Sequence, residues 1–103
     1  METPKTHYIV RYFSNGIPMF LHKGDVFFNA FVDGALVVYK TYGRALNKAK
    51  KVSYRRRNTG VEVCAVKVGE NVRDGKPMAV FCNGADITTE YLTPITAEKI
   101  IVK

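Results

Sequence analysis

The sequence contains little cysteine and no long apolar run. Cys64 and Cys82 are the two cysteines among 103 residues, and they lie too far apart in the sequence to form a zinc motif. No stretch approaches the roughly 18 consecutive apolar residues that indicate a membrane-spanning helix. Residues 1–5 lack the charged and then apolar order of a signal peptide. These absences predict a cytoplasmic protein with no membrane partner, in which both thiols stay reduced.

Motifs that would indicate catalysis or a bound cofactor are also missing. The chain has no glycine-rich phosphate loop, metalloprotease helix or nucleophile elbow. Its nine acidic residues are scattered, so no carboxylate pair for acid-base chemistry can be picked out. His7 and His22 are predicted to be diagonal neighbours on one face of a sheet, but no third ligand follows at a recognisable spacing. We therefore expect no enzyme activity, no metal ion and no cofactor.

The length and composition are those of one globular domain. The chain has 47% hydrophobic and 24% charged residues and no low-complexity tract. A chain of this length is large enough for one hydrophobic core and too short for two. We predict a single α+β domain over residues 1–103.

The first 40 residues have the pattern of an antiparallel β-meander. Asn15-Gly16 and Asp33-Gly34 are turn dipeptides that lie between apolar segments, and Gly24-Asp25 is a weaker turn candidate. The segments between these turns are rich in Tyr, Phe, Val and Ile, which favour strands. The four predicted strands cover residues 7–14, 17–23, 26–32 and 35–40.

One helix is predicted after this meander. Thr41 is a candidate N-cap, and the apolar period changes there from two to 3.6 residues. The helix is expected to end near residues 58–60, where Gly60 can take a left-handed conformation. The predicted inner stripe consists of Tyr42, Ala45, Leu46, Ala49 and Val52.

Two further strands follow the helix, at residues 61–68 and 78–82. The first would insert beside the meander, and the second would end at Asn83-Gly84, after a polar loop over residues 69–77. Residues 88–92 are a candidate helical turn, and residues 97–102 are a candidate edge strand. The predicted fold is an antiparallel meander or partial barrel packed against one main basic helix, in the order β-β-β-β-α-β-β with a short C-terminal strand or helix.

The turn at Asn15-Gly16 decides which side chains share a face of the first hairpin. If Ser14 pairs with Ile17, one face is an apolar core face that carries Tyr8, Val10, Tyr12, Met19 and Leu21. The opposite face mixes aromatic, histidine and arginine side chains, namely His7, Ile9, Arg11, Phe13, Phe20 and His22. Because one helix covers only one side of a sheet, this second face would be covered by curling of the sheet, C-terminal strands, a sister subunit or a partner.

The positive charge is concentrated on the predicted helix. The formal net charge is +7, yet residues 40–57 contain eight bases and no acid, while the other eight bases are balanced by nine acids. Cations along one helix face neutralise phosphates, although such a face can also serve only solubility. The proposed phosphate-binding residues, called the basic cluster below, are Lys40, Arg44, Lys48, Lys51, Arg55, Arg56 and Arg57.

Aromatic side chains add two possibilities for binding bases. Tyr54, among the arginines of the basic cluster, is a candidate to stack on an exposed base or to anchor the last helical turn to the sheet. The mixed second face is a further candidate stacking platform, formed by Arg11, Phe13, Phe20 and His22.

The segments "YIVRYF…NG", "VVYKTYGRALNKAKK" and "VEVCAV" together resemble known phage proteins over residues 7–68. This order of strand, turn, strand, basic helix and strand resembles the small orphan accessory proteins of tailed bacteriophages. It is also similar to the three-stranded arm-binding modules of phage-type integrases, in which a sheet packs on one helix and enters a DNA groove. The chain differs from those modules because further predicted strands follow.

The resemblance implies an accessory protein that acts on host machinery in the cytoplasm of a bacterium. One expected role is non-enzymatic binding of DNA or RNA by the phosphate backbone, through the basic cluster. The alternative is a protein inhibitor, of anti-CRISPR or anti-restriction type, that binds an acidic surface of a host or defence enzyme. That inhibitor would use either the apolar second face of the sheet, including Phe27, Phe31 and Leu36, or the C-terminal segment. A homodimer is possible in either case.

Overall fold

The computed structural model describes residues 6–30, 34–67 and 69–88. The elements are β1 (Thr6–Ser14), β2 (Ile17–His22), β3 (Val26–Phe28), α1 (Tyr42–Arg55), β4 (Val61–Lys67), a 3₁₀ turn (Val72–Asp74), β5 (Lys76–Cys82) and β6 (Ala85–Asp86). The strands form one six-stranded antiparallel sheet, in the order β3-β2-β1-β4-β5-β6, with one main α-helix packed on it. The predicted α+β class is therefore confirmed.

The first hairpin has the predicted turn and register. Asn15 and Gly16 take positive φ angles of 52° and 81°, as a two-residue hairpin turn with the twist of the flanking strands requires. Ser14 pairs with Ile17, and the pairing continues to Arg11 with Phe20. The alternation of core-facing and opposite side chains along β1 and β2 is therefore as predicted.

The fourth predicted strand is wrong in its pairing. Residues 35–40 do not form a hairpin with β3 among the described residues, and β3 ends at Phe28. Instead, the N–H groups of Lys23 and Val37 donate to Ala35 O and Leu21 O at 2.8 and 3.1 Å, so this segment continues along the end of β2. Tyr39 then exchanges two backbone hydrogen bonds of 2.8 Å with Tyr8 of β1. The segment follows two strands in turn because β1 and β2 stop pairing beyond Arg11 and Phe20.

The strands after the helix extend the sheet on the other side of β1. β4 pairs antiparallel with β1 from Thr6 to Tyr12, as an inserted strand should, and β5 pairs with β4. Asn83 and Gly84, with φ angles of 53° and 82°, connect β5 to the short strand β6, which the sequence did not predict. Pro77, expected in a loop, lies in β5 next to a register shift. The candidate helical turn at residues 88–92, apart from Thr88, and the candidate strand at residues 97–102 lie outside the described residues.

Helix α1 forms the main core with the sheet. Its buried residues are Ala45, Ala49, Val52 and Ser53, and the two alanines let the helix approach β1, β4 and β5 closely. Thr41 is the N-cap residue, without a side-chain capping bond. The helix ends at Arg55, and Asn58 with a φ of 61° takes the left-handed position expected for Gly60. Asparagine tolerates that conformation and also bonds to a neighbouring turn here.

The face away from the helix carries a second, smaller core. Ile9, Phe20, Cys64 and Val66 form this cluster, with Leu36 and Val72 packed against it. Beside it, the guanidinium of buried Arg11 donates to Glu62 Oε1 at 3.0 Å. Phe27, predicted on this face, pairs with Leu21 and lies instead in the helix-side core. No helix among the described residues is long and apolar enough to cross a membrane.

Candidate nucleic-acid interface

The outer side of α1 and its two ends present exposed cations. Five basic residues here are exposed, and in the described part of the chain none of them forms an ion pair with a carboxylate. Four of them belong to the basic cluster, namely Lys40, Arg44, Lys51 and Arg57. The fifth, Lys50, is also exposed but was not included in the basic cluster, although it lies between Lys48 and Lys51 in the sequence.

Two members of the basic cluster are already paired with an acid. Asp25, in the turn between β2 and β3, forms ion pairs with Lys48 and with Arg55, the latter at 2.9 Å. Hydrogen bonds from Lys48, which has the larger effect, and from Arg55 lower the pKa of Asp25 below its ordinary value of 3.8. Residues 40–57 contain no acid in the sequence, but the fold brings Asp25 against the cluster. One carboxylate against the eight bases of residues 40–57 still leaves a strong local excess of positive charge.

Arg56 is oriented toward the sheet rather than outward. Its guanidinium carbon lies 4.5 Å from the centre of the Tyr12 ring and 4.7 Å from that of the Phe27 ring, and the residue is half-buried. A guanidinium held over two aromatic faces gains cation–π stabilisation. Arg56, which the sequence placed in the basic cluster with Arg57, is therefore less exposed than Arg57, because the chain leaves helical geometry at Arg56.

Tyr54 is anchored at the end of the helix, as one of its two predicted roles requires, and its ring also stays exposed. The side chain is 59% exposed, yet it also lies directly against Gly84, where an added Cβ would come within 2.1 Å of the ring carbon Cζ. Next to it, the Ser53 hydroxyl accepts a hydrogen bond of 2.8 Å from Gly84 N–H and donates one of 2.7 Å to Lys50 O. The ring is therefore anchored to the β5–β6 turn and still exposes a surface.

A concave site lies beside this ring. Its volume is about 350 Å³, and it is lined by Tyr54, Arg57, Asn58 and Asn83. The two asparagines join the helix end to the β5–β6 turn: Asn58 N–H donates to Asn83 Oδ1 at 3.0 Å, and Asn83 Nδ2 donates to Asn58 Oδ1 at 3.3 Å. Neither asparagine was predicted as a site residue, although Asn58 lies at the predicted end of the helix and Asn83 lies in the predicted Asn83-Gly84 turn.

The candidate stacking platform on the second face is largely inaccessible. Phe20 and His22 are at most 1% exposed, and Arg11 is held by Glu62, so these three cannot stack on a base. Phe13 alone of the four is exposed, at 41%. The guanidinium carbon of Arg11 lies 5.1 Å from the centre of the Phe13 ring. The four residues share a face as predicted, but the face is a core rather than a platform.

The described residues offer no metal site of three or more His, Cys, Asp or Glu side chains. His22 is buried, and its Nδ1 lies 2.8 Å from Phe20 O. Burial raises the pKa of the Cys64 thiol to about 12, so this cysteine is held in its protonated form.

Comparisons with protein-family models, with curated proteins and with solved structures found no match for the chain.

Proposed function

We propose that this chain is a non-enzymatic nucleic-acid-binding accessory protein, which binds the phosphate backbone through the outer side of α1. The observation that carries the proposal is a set of exposed cations that have no carboxylate partner among the described residues: Lys40, Arg44, Lys50, Lys51 and Arg57. A helix that served only solubility would normally mix acids with these bases. Phosphates would supply the missing negative charge. The chain would work in the cytoplasm, where nucleic acid is accessible to it.

The strength of such binding follows from counterion release. Each neutralised phosphate contributes a slope of about −0.9 in a plot of log K against log salt for duplex DNA. If about four phosphates are contacted by five exposed cations, the slope is about −3.6, and affinity falls about 150-fold between about 50 and 200 mM salt. Contacts of this type position a protein on the backbone without reading the base sequence.

The helix, rather than the strands, is the proposed contact. In the integrase-type arrangement, strands of the sheet enter the groove. Here the middle of the helix-distal face is occupied by buried side chains such as Phe20 and Ile9. The exposed bases on α1, such as Arg44 and Lys51, support contact on the opposite side of the sheet.

Fluorescence anisotropy with labelled duplex and single-stranded oligonucleotides tests the proposal. The double variant Arg44→Gln/Lys51→Gln removes two exposed charges from α1 and should make the duplex salt slope less negative by about 1.8. A matched control, Lys67→Gln/Lys76→Gln, removes two exposed charges from β4 and β5 and should change the slope much less. A wild-type slope near zero, or equal effects of the two variants, would refute the proposal.

A second candidate function is inhibition of a host or defence nucleic-acid enzyme by protein contact. The observation that favours it is a group of large apolar side chains exposed on the helix-distal face: Phe13 at 41%, Val26 at 43% and Phe28 at 45%. Of the residues expected in this role, Phe27 is buried, Leu36 is half-buried, and Phe31 lies outside the described residues. Co-purification of one stoichiometric partner from nuclease-treated bacterial lysate would favour inhibition over nucleic-acid binding.

A further inference from the structure

We propose that the concave site between the end of α1 and the β5–β6 turn binds one unpaired nucleotide, with its base stacked on Tyr54. This inference rests on the proposed function and adds to it a preference for single-stranded over fully paired nucleic acid. The site is lined by an aromatic ring, a guanidinium and two carboxamides, from Tyr54, Arg57, Asn58 and Asn83. These are the group types that bind the face of a base, a phosphate and the edge of a base, respectively.

The ring of Tyr54 is held in place before any ligand binds. It lies against Gly84, and the neighbouring Ser53 hydroxyl fixes the distance between helix and turn by bonding to Gly84 N–H and Lys50 O. The side chain nevertheless keeps 59% of its surface exposed. A stacking surface that is already ordered loses little conformational entropy on binding, which favours affinity.

The two asparagines leave hydrogen-bonding groups available beside the ring. Their mutual bonds use Asn83 Oδ1, Asn83 Nδ2 and Asn58 Oδ1. Among the described residues, Asn58 Nδ2 has no bonding partner, and both residues are exposed. Carboxamide groups pair with the polar edges of bases, which are accessible when the base is unpaired. A base inside a duplex would have to leave its stack to reach this site.

The surrounding charges match a strand that passes the site. Lys50 and Lys51 lie four and three residues before Tyr54, so they are its neighbours on the preceding helical turn. Arg57 lines the site itself. All three are exposed, and no carboxylate of the described residues pairs with them. Phosphates on either side of a bound base would therefore meet cations. The volume of about 350 Å³ lies at the low end of the range of about 300–1,000 Å³ for small-ligand sites, which suits one nucleotide.

The test compares a single-stranded oligothymidylate with a strand of the same length and charge in which abasic spacers replace the nucleosides. Stacking of one base is worth enough to give wild type about a tenfold preference for the base-bearing strand. Tyr54→Ser should abolish this preference, and Tyr54→Phe, which keeps the ring, should retain it. Lys51→Gln is the control, since it should weaken binding of both strands by the same factor. Circular dichroism of each variant checks that it is folded.

The outcomes separate this inference from the proposed function. Equal wild-type affinity for the two strands, with a steep salt dependence, would overturn the base site and leave backbone binding in place. Absence of binding to both strands would overturn the proposed function itself. A preference that survives in folded Tyr54→Ser would show that the base is bound elsewhere and would overturn the assignment of this site. If Tyr54→Ser fails to fold, equal wild-type affinity for the two strands still overturns the base site.

Discussion

If α1 binds phosphates as proposed, Asp25 competes with them for Lys48 and Arg55, so removing its charge should strengthen binding. Asp25→Asn would release Lys48 and Arg55 from their ion pairs. At about 0.1 M salt, each additional neutralised phosphate is worth about eightfold in affinity for duplex DNA, so release of one or both cations should strengthen binding by about 8-fold to 60-fold. The duplex salt slope should become more negative by about 0.9 to 1.8.

The fold should tolerate this substitution. The Asp25 side chain is 42% exposed and that of Arg55 is 62% exposed, and exposed ion pairs of this kind contribute about 0–1 kcal/mol each. Asp25 has a φ of 59°, which asparagine accepts as readily as aspartate. The effect should therefore appear in binding more than in stability.

Anisotropy titrations of the wild type and Asp25→Asn over a series of salt concentrations measure this effect. Asp74→Asn is the control, because it makes the same charge change at an exposed position in the 3₁₀ turn. The expected result is a clear gain for Asp25→Asn and little change for Asp74→Asn. Unchanged affinity in Asp25→Asn, or an equal gain in both variants, would refute the idea that Lys48 and Arg55 lie on the phosphate-binding surface.

The same ion pairs predict a pH dependence of stability. Lys48 and Arg55 hold the pKa of Asp25 below its ordinary 3.8, so protonation of Asp25 is harder in the folded state than in the unfolded state. The stability that these pairs contribute is present above the unfolded-state pKa, and it is lost as pH falls through the lowered pKa. Melting temperatures of wild type and Asp25→Asn, measured over a series of pH values, test this dependence. Any difference between the two proteins at neutral pH should disappear once the pH is below the lowered pKa of Asp25.

Three further predictions concern the packing of the fold. Arg56→Gln should lower the free energy of unfolding by about 1 kcal/mol, because it removes the guanidinium from two aromatic rings, whereas Arg57→Gln should leave chemical denaturation curves unchanged. Cys64, with a pKa raised to about 12 by burial, should resist iodoacetamide at neutral pH in the folded protein and react fully after denaturation; rapid labelling when folded would contradict this. Gly84 and Gly16 have similar positive φ angles, 82° and 81°, but only at Gly84 would an added Cβ meet a ring. The Gly84→Ala variant should therefore be less stable than the Gly16→Ala variant by at least about 1 kcal/mol. Equal melting temperatures of the two variants would show that the Tyr54 ring moves freely.

Features set by local sequence could be predicted, and those set by distant contacts could not. The register of the first hairpin depends on Asn15-Gly16 and the alternation on either side, and the buried stripe of α1 depends on a 3.6-residue period. Asp33-Gly34 gave an equally local hairpin signal, but the segment after it bonds to Leu21 and Tyr8 rather than to β3. The strand that offers unpaired backbone groups to residues 35–40 depends on how the whole sheet is paired, and the local sequence does not reveal it.

The candidate site shows the same limit. The density of cations on α1 could be read from the sequence, but Asp25 lies 30 residues from Arg55, and only the fold brings the two together. Arg56 and Arg57 are identical neighbours in the sequence, yet the break in helical geometry directs one toward the sheet and leaves the other exposed. The Asn83 contribution to the concave site depends on β6, which is only two residues long and carries no recognisable period.

The central claim is that nucleic acid binds on the outer side of α1, and backbone amide NMR with a short oligonucleotide tests it most directly. The account predicts chemical-shift changes that concentrate in residues 40–58 and around Asn83 and decrease together as salt is raised. Shift changes that concentrate instead around Phe13 and Phe28 on the opposite face, or none at about 50 mM salt, would contradict it.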